Sequence, residues 1–246
     1  MPPPSFPFTD DERDHFITIA LSEDFGPDTL RSGDLTSAAV IPPDARLIAT
    51  MRAREEMILS GLPLACAIFK ALDPDVRLDA IALDGTLHQA GDVILRLDGR
   101  ARALLGAERT ALNLVQHLSG IATLTHRYVE AIKGTKAVIL DTRKTTPLLR
   151  RLEKYAVACG GGVNHRMGLY DAVMIKDNHI AVAGGIRQAL KAAKTAGHSQ
   201  CQVECDTLDQ VDEALAAGAG SLLLDNMSPD LLRLAVARIK GRVPTE

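Results

Sequence analysis

The chain has 246 residues and a net charge of −3, from 28 Lys and Arg against 31 Asp and Glu. A charge so close to zero excludes the strongly basic proteins that bind nucleic acid through its phosphates. No apolar run reaches the ~18 residues that a membrane helix needs. With 46% hydrophobic and 24% charged residues, the composition is typical of folded globular proteins. We therefore expect neither nucleic acid nor a membrane as a partner.

The first hundred residues predict an irregular mixture of helices and short strands. Thr9 followed by Glu12 is a capping-box pattern, and it starts a helix predicted over residues 10–22. Strand-like runs separated by turn signals fill residues 46–102, with one helix at about 63–71. This half is predicted to be an α+β sandwich.

A long helix is predicted over about 104–132, and the pattern then changes to four short apolar runs: KAVILD, DAVMIK, CQVECD and SLLLDN. Helix-sized segments separate these runs, which indicates βαβ units and a parallel sheet. We therefore predict an α/β protein with a domain boundary near residue 115, dividing the chain into residues 1–115 and 116–246. The second part is too short for a closed eight-unit barrel, which has ~250 residues. Because the sequence ends at a predicted strand start, we expect a C-terminally incomplete barrel domain.

The four cysteines, Cys66, Cys159, Cys201 and Cys205, form neither a CxxC pair nor a zinc-finger spacing. Cys201 and Cys205 lie in a predicted strand and are not expected to share a face. We interpret all four as reduced core residues of a cytoplasmic protein.

Each of the four apolar runs ends in, or is followed by, charged side chains. In α/β sheets the carboxyl ends of parallel strands carry the functional site, because the following loops meet there. The alternative is that these charges only mark where each strand leaves the core. We favour a site, and its candidate residues are Thr142, Arg143, Lys144, Lys176, Glu204 and Asp225.

Residues 141–179 carry seven Lys and Arg against four Asp and Glu, a local charge of +3. Cations in strand-end or loop positions suit a small anionic ligand such as a phosphate or a dicarboxylate; they are Arg143, Lys144, Arg166 and Lys176. By contrast, Arg150, Arg151 and Lys154 lie on a predicted helix and are interpreted as a solvated face. The run Gly160–Gly162 predicts a tight passage that lets the backbone approach a ligand, with His165 as a further candidate contact.

The acids Glu204 and Asp225 have three interpretations. They could be charge partners of the cations, they could hold Mg²⁺ against a phosphate ligand, or they could stabilise positive charge at a reacting carbon. The residue pattern leaves this choice open.

Residues 140–180 closely resemble the core of the quinolinate phosphoribosyltransferase family. Further motifs that fit are GDLT at 33–36, ERTALN at 108–113, QHLSGIAT at 116–123, Glu204 with Asp206, and LDNM at 224–227. The resemblance implies an N-terminal sandwich followed by an open α/β barrel. It also implies a homodimer, or a higher oligomer built from it, in which each active site borrows from its neighbour. The implied reaction joins quinolinate and phosphoribosyl pyrophosphate into nicotinate mononucleotide, pyrophosphate and CO₂ in de novo NAD synthesis, with Mg²⁺ as cofactor.

The resemblance also implies roles for single residues. Quinolinate would be bound by Arg143, His165, Arg166 and Lys176, with Arg109 of the partner subunit, and Thr142 belongs to the same binding loop. The implied catalytic residues are Lys144 and Lys176 near the phosphates, and Glu204 and Asp225 facing the ribose and the metal.

Two departures from the family pattern stand out. The family usually has Gly after Thr-Thr-Pro, whereas here Leu148 follows Pro147, and we expect this to affect local geometry more than function. Family members also continue past the position of Glu246 with a phosphate-binding Ser-Gly-Gly loop. Without this loop, a non-catalytic relative that binds anions or dimerises stays open as a hypothesis. A barrel aldolase also stays open, since Lys176 at a predicted strand end could form a Schiff base.

Overall fold

The computed structural model describes residues 4–26 and 33–246 of the chain, which divides into two compact units, Met1–Met167 and Gly168–Glu246. The elements of the first unit are α1 (Asp10–Phe25), α2 (Leu35–Val40), β1 (Arg46–Arg52), β2 (Met57–Ile58), α3 (Leu62–Leu72), β3 (Arg77–Ala80), β4 (Leu87–His88), β5 (Val93–Arg100), α4 (Ala101–Ala131) and α5 (Arg150–Cys159). Those of the second unit are β6 (Val173–Ile175), α6 (Asp177–Ala183), α7 (Ile186–Thr195), β7 (Cys201–Cys205), α8 (Leu208–Ala216), β8 (Ser221–Leu224) and α9 (Pro229–Ile239).

The first unit contains two antiparallel sheets together with its helices, which agrees with the predicted α+β mixture. One sheet has the strand order β1-β5-β3, and β2 pairs with β4 in the other. The predicted capping box of α1 is confirmed, since the Glu12 N–H donates to the Thr9 hydroxyl at 3.3 Å and the Thr9 N–H donates to the Glu12 carboxylate at 2.9 Å. No helix in the described part of the chain has the length and apolarity of a membrane span.

Helix α4 forms the centre of the first unit's core and confirms the predicted long helix. One face of it is buried by small and apolar residues at helical spacing: Leu104, Ala107, Ala111, Val115, Leu118 and Ala122. These residues belong to one cluster with the buried side of α5, where Leu152 and Ala156 are fully buried. The predicted domain boundary near residue 115 lies within α4.

The second unit is a parallel sheet with the strand order β6-β7-β8 and a helix after each strand, as predicted from the alternating pattern. The predicted strand at the end of the sequence also pairs with this sheet, because the Glu246 N–H donates to the Leu222 carbonyl at 2.9 Å. The first apolar run, KAVILD, has the pattern of a strand as well. Among the residues that the structure describes, it makes only a single parallel bridge, Leu140 with Val163, and Val138 is 61% exposed.

The expectation that Cys201 and Cys205 lie on different faces of their strand is wrong. Side chains alternate along a strand, so residues four apart share a face, and both cysteines are buried in the core of the second unit. Burial raises the pKa of the Cys205 thiol to about 12, which keeps it protonated. Cys159 is buried and Cys66 partly buried, and all four are free thiols.

The glycine run after α5 is explained by packing within the first unit. A Cβ atom on Gly160 would lie 2.4 Å from the Ala122 carbonyl oxygen and 2.7 Å from the Thr125 Cβ, both on α4. Gly161 has φ +89°, in the left-handed region. These glycines let the end of α5 touch α4 and turn the chain towards Val163, whereas the sequence suggested an approach to a ligand.

We expect Gly160→Ala to lower the free energy of unfolding by about 1–3 kcal/mol, because the added methyl group meets backbone that cannot rotate away. Chemical denaturation measures this difference. Gly120→Ala is the matched control: Gly120 is helical, and a Cβ there meets nothing within 4 Å. It should stabilise the protein by up to ~1 kcal/mol through helix propensity. Equal unfolding midpoints for the two variants would contradict the packing argument.

Candidate active site

Three charged side chains of α5 hold the loop that carries Thr142, Arg143 and Lys144. The Lys154 ammonium forms an ion pair with Asp141, immediately before the loop. The Arg150 guanidinium donates to the Thr145 hydroxyl at 3.1 Å, and Glu153 accepts from the Thr146 N–H at 3.1 Å.

The prediction of a solvated face on α5 is therefore wrong. Lys154 is only 1% exposed, and Arg150 is partly buried. Arg151 contacts the N-terminal segment, where it binds the Glu12 carboxylate at 2.7 Å and lies over the Phe8 ring. Packing of α5 against α4 and the loops covers the polar side that sequence periodicity assigns to solvent.

The same ion pair joins this loop to the one that carries His165 and Arg166. The Lys154 ammonium donates to the His165 carbonyl at 3.0 Å, and the His165 N–H donates to Asp141 Oδ1 at 2.8 Å. Within the first unit, the structure thus brings together the two segments that contain the predicted residues Thr142, Arg143, Lys144, His165 and Arg166.

Arg143 has the features of a ligand-binding residue. Its Nε atom is buried and has no hydrogen-bond partner among the residues that the structure describes. A buried donor without a partner costs about 1–3 kcal/mol and is uncommon in native structures. A carboxylate or phosphate oxygen would satisfy it, since the guanidinium binds these groups in a planar fork. Nearby in the loop, Thr142 accepts from the Lys144 N–H at 3.0 Å, and both residues are exposed.

Sequence reasoning missed Glu153 and His117 as supports of this loop. The His117 ring nitrogen Nε2 lies 2.9 Å from Glu153 Oε1, while the other Glu153 oxygen binds the Thr146 N–H. Burial raises the pKa of Glu153, but the hydrogen bonds with Thr146 and His117 outweigh it and hold the pKa below its ordinary value. The sequence contains one indirect indication of this role, since His117 belongs to the QHLSGIAT motif that fits the family.

In the second unit, Lys176 and Glu204 form a close pair at neighbouring strands. The Lys176 ammonium lies 2.5 Å from Glu204 Oε2, and the Glu204 side chain is only 9% exposed. The parallel register explains the pairing, since Ile175 lies opposite Val203 and the next residues of the two strands are therefore adjacent. This contact argues against the aldolase hypothesis, because the Lys176 nitrogen is engaged by Glu204, whereas a Schiff-base lysine attacks a carbonyl carbon with that nitrogen.

Asp225 follows β8 at the same end of the parallel sheet. Its N–H donates to the Cys205 carbonyl at 3.1 Å, and its side chain is exposed. Asn226 has φ +54° and donates to the Asp206 carboxylate at 3.1 Å, which fixes the turn after the strand. Arg109 is exposed on α4, and in the described part of the chain no hydrogen bond or ion pair links it to the other predicted residues of the first unit.

The carboxylates of the second unit fit the coordination chemistry of Mg²⁺. Among the described residues, no group of three or more His, Cys, Asp or Glu is arranged for metal binding. Mg²⁺ differs from metals with all-protein cages, because it commonly takes one or two carboxylates and completes its shell with substrate phosphates and water. Glu204 and Asp225 supply such a pair of carboxylates.

Comparisons with known proteins decide the family. Residues 34–119 match the model of the quinolinate phosphoribosyl transferase N-terminal domain, and residues 121–245 match that of the C-terminal domain. The chain belongs to the quinolinate phosphoribosyltransferase family. It is 44% identical to the nicotinate-nucleotide pyrophosphorylase [carboxylating] of Mycobacterium leprae, over 93% of this chain and 80% of that protein. A probable enzyme of the same name from Bacillus subtilis is 43% identical, over 94% of this chain and 81% of its own length.

Solved structures of this quinolinate phosphoribosyltransferase family also match the fold. The crystal structure of NadC from Streptococcus pyogenes has a TM-score of 0.89 and 38% sequence identity, and covers 97% of this chain and 83% of that one. The nicotinate-nucleotide pyrophosphorylase from Francisella tularensis has a TM-score of 0.88 and 39% identity, with the same coverage. The predicted α/β class is thereby confirmed. The boundary near residue 115 stays a prediction, since the family models meet at 119–121 whereas contacts divide the chain after Met167.

Leu148, which replaces the usual family glycine, has a strained backbone. Its φ is +69° and its side chain is 92% exposed. A side chain in the left-handed region costs about 1–2 kcal/mol, and an exposed leucine recovers little of this through packing. The loop therefore keeps a backbone conformation that suits glycine.

We expect Leu148→Gly to raise the free energy of unfolding by roughly 0.5–1 kcal/mol, because relief of the strain exceeds the entropy that glycine adds to the unfolded chain. Equilibrium unfolding in urea measures the change. Leu169→Gly is the control, since Leu169 is 74% exposed but does not have a positive φ, and it should not gain stability. A loss of stability in Leu148→Gly would show that the leucine side chain has a packing role.

Proposed function

We propose that the chain transfers a phosphoribosyl group from phosphoribosyl pyrophosphate to quinolinate, with loss of CO₂, and so makes nicotinate mononucleotide and pyrophosphate for NAD synthesis. The observation that carries this proposal is the match to both domain models together with 43–44% identity to carboxylating pyrophosphorylases. A match over about four fifths of those relatives' length favours the enzyme over the non-catalytic alternative.

Binding of the dicarboxylate is assigned to the cations of the family motif. Arg143 carries a buried Nε without a partner in the described chain, and a carboxylate of quinolinate would supply the missing acceptor. We assign the other quinolinate contacts to His165, Arg166 and Lys176, and to Arg109 of the partner subunit. This last contact requires a homodimer, which is part of the proposal; the chain could also form a higher oligomer.

The first chemical step is cleavage of the bond between C1 of the ribose and the pyrophosphate oxygen. As this bond breaks, positive charge develops at C1, and the carboxylates of Glu204 and Asp225 would stabilise it electrostatically. Lys144 and Lys176 would stabilise the leaving pyrophosphate as point charges. Mg²⁺, held by Glu204 and Asp225 together with the pyrophosphate, would supply further charge neutralisation.

The pyridine nitrogen of quinolinate then bonds to C1 and becomes a cationic pyridinium. As the bond between C2 and its carboxylate breaks, CO₂ leaves, the bonding electron pair stays on C2 beside the positive nitrogen, and a proton from water then bonds to C2. The pyridinium stabilises the electron pair at C2 itself, so this step needs no separate electron sink. Thr142 belongs to the loop that would bind the substrate.

The place of the reaction is also proposed. Four free thiols suit a reducing compartment, and the bacterial relatives are metabolic enzymes by name. We infer a cytoplasmic enzyme.

Incubation with quinolinate, phosphoribosyl pyrophosphate and Mg²⁺ should yield nicotinate mononucleotide and CO₂ in a 1:1 ratio. Chromatography measures the nucleotide, and release of label from carboxyl-labelled quinolinate measures the CO₂. Omitting either substrate is the control. Turnover of nicotinate but not of quinolinate would sink the carboxylating assignment.

Arg143→Ala and Lys176→Ala should each lower kcat/KM by about 10²–10³. Each substitution removes a positive charge that would stabilise a bound carboxylate or the negative charge that develops on the leaving pyrophosphate. Lys191→Ala, which removes an exposed lysine of α7, is the matched control and should keep wild-type rates. Circular dichroism and unfolding midpoints establish that all three variants fold. Wild-type rates in both site variants would refute the assignment.

A further inference from the structure

Among the described residues of the first unit, the most buried cation is one to which the family motif gives no role in binding. Lys154 is 1% exposed, and the Asp141 side chain that it pairs with is 5% exposed. Taking both charges out of water is costly, and a buried ion pair is often no more stabilising than apolar residues of the same size. Stability alone is therefore a weak explanation for this pair.

The side chains of the pair contact the two segments that contain the candidate binding residues Arg143 and His165. Asp141 immediately precedes Thr142 and Arg143 in the chain, and its Oδ1 atom accepts the His165 N–H at 2.8 Å. Lys154 donates to the His165 carbonyl at 3.0 Å. With its amide oriented by its hydrogen-bond partners, Asn164 donates to Asp141 Oδ2 and to the Lys154 carbonyl, both at 2.8 Å.

These contacts substitute for a sheet that is nearly absent at this point. The two segments share one bridge, Leu140 with Val163, and backbone hydrogen bonds from Asp141 to Val163 and from Val163 to Ile139. Beyond this bridge, the ion pair fixes the distance between the Asp141 carboxylate and the backbone of His165. Arg150 joins the same segments further along, through the Thr145 hydroxyl and the Met167 carbonyl, so Lys154 is the cation that holds them together next to Arg143 and His165.

We propose that Lys154 and Asp141 are positioning residues that set the geometry of dicarboxylate binding without touching the substrate. This inference rests on the proposed function, since it assigns quinolinate to Arg143, His165 and Arg166. Misplacing such groups by about 1 Å can cost 10²-fold in rate or affinity, so the pair should act on the binding of quinolinate more than on the chemical step.

The test is a neutral pair, Lys154→Met with Asp141→Asn, which removes both charges while the new amide at position 141 keeps an oxygen for the His165 N–H. Quinolinate KM and its dissociation constant from calorimetry should rise 10–100-fold, whereas kcat at saturating quinolinate should change less than about fivefold. A purely structural role gives another result: fewer folded molecules lower the apparent kcat and leave KM unchanged.

The matched control is another ion pair of α5, neutralised as Arg151→Met with Glu12→Gln. The hydrogen bonds of Arg151 to Glu12 and to the Pro7 carbonyl join α5 to the N-terminal segment, so quinolinate KM should stay at the wild-type value. A comparable rise of KM in the control would overturn the proposal, because any loosening of α5 would then suffice.

If the neutral pair does not fold, Lys154→Arg carries the test, since it keeps both buried charges paired and changes only the geometry of the donor. A rise of about threefold or more in the quinolinate dissociation constant supports positioning, and an unchanged constant overturns it. The wild type separates the two hypotheses: turnover by the wild type with unchanged KM in the variants refutes only the positioning role, whereas a wild type without turnover refutes the proposed function and this inference with it.

Discussion

The packing of α5 against α4 is the constraint on which the first unit's candidate site depends. At Gly160 the chain passes so close to the Ala122 carbonyl that no side chain fits, and Tyr155 of α5 donates to the buried Asp84 at 2.9 Å. With α5 held in this way, its charged side chains lie at fixed positions beside the residues that follow the Leu140–Val163 bridge. Packing in the core thus determines where the cationic groups of the loop can lie.

The second unit reaches a comparable arrangement through its sheet. Parallel pairing puts the ends of β6, β7 and β8 at one edge, and the register makes Lys176 the neighbour of Glu204 without any help from a loop. The ammonium and carboxylate each neutralise the other, so Glu204 is buried at a tolerable cost.

The sequence predicted whatever depends on periodicity and on local hydrogen bonds. The helix start at Thr9, the long helix α4 and the parallel order of β6, β7 and β8 follow from spacing, capping and alternation of strands with helices. Residue types at the strand ends also predict an anion site at Arg143 and Lys176, and this site stays a prediction.

Features that depend on tertiary packing were not predictable in this way. A charged residue on a helix is normally exposed, so nothing in the sequence indicated that Lys154 is buried against Asp141. The run KAVILD has the composition of a strand, but a strand also needs partners along its length, and residues 136–138 are exposed. The strained backbone of Leu148 likewise depends on its neighbours, because the Leu149 N–H donates to the Thr146 carbonyl and closes the turn around it.

Surface loops generally tolerate insertions and deletions, but the loop from Asp141 to Leu149 is tied along its length. Lys154, Arg150 and Glu153 hold it at residues 141, 145 and 146, and these three side chains lie within little more than one turn of α5. One residue more or less in the loop would move at least one of these attachment points by a full residue length. The number of residues in this loop is therefore as strictly constrained as their chemical identity, which is a property more often found in a core element than in a loop.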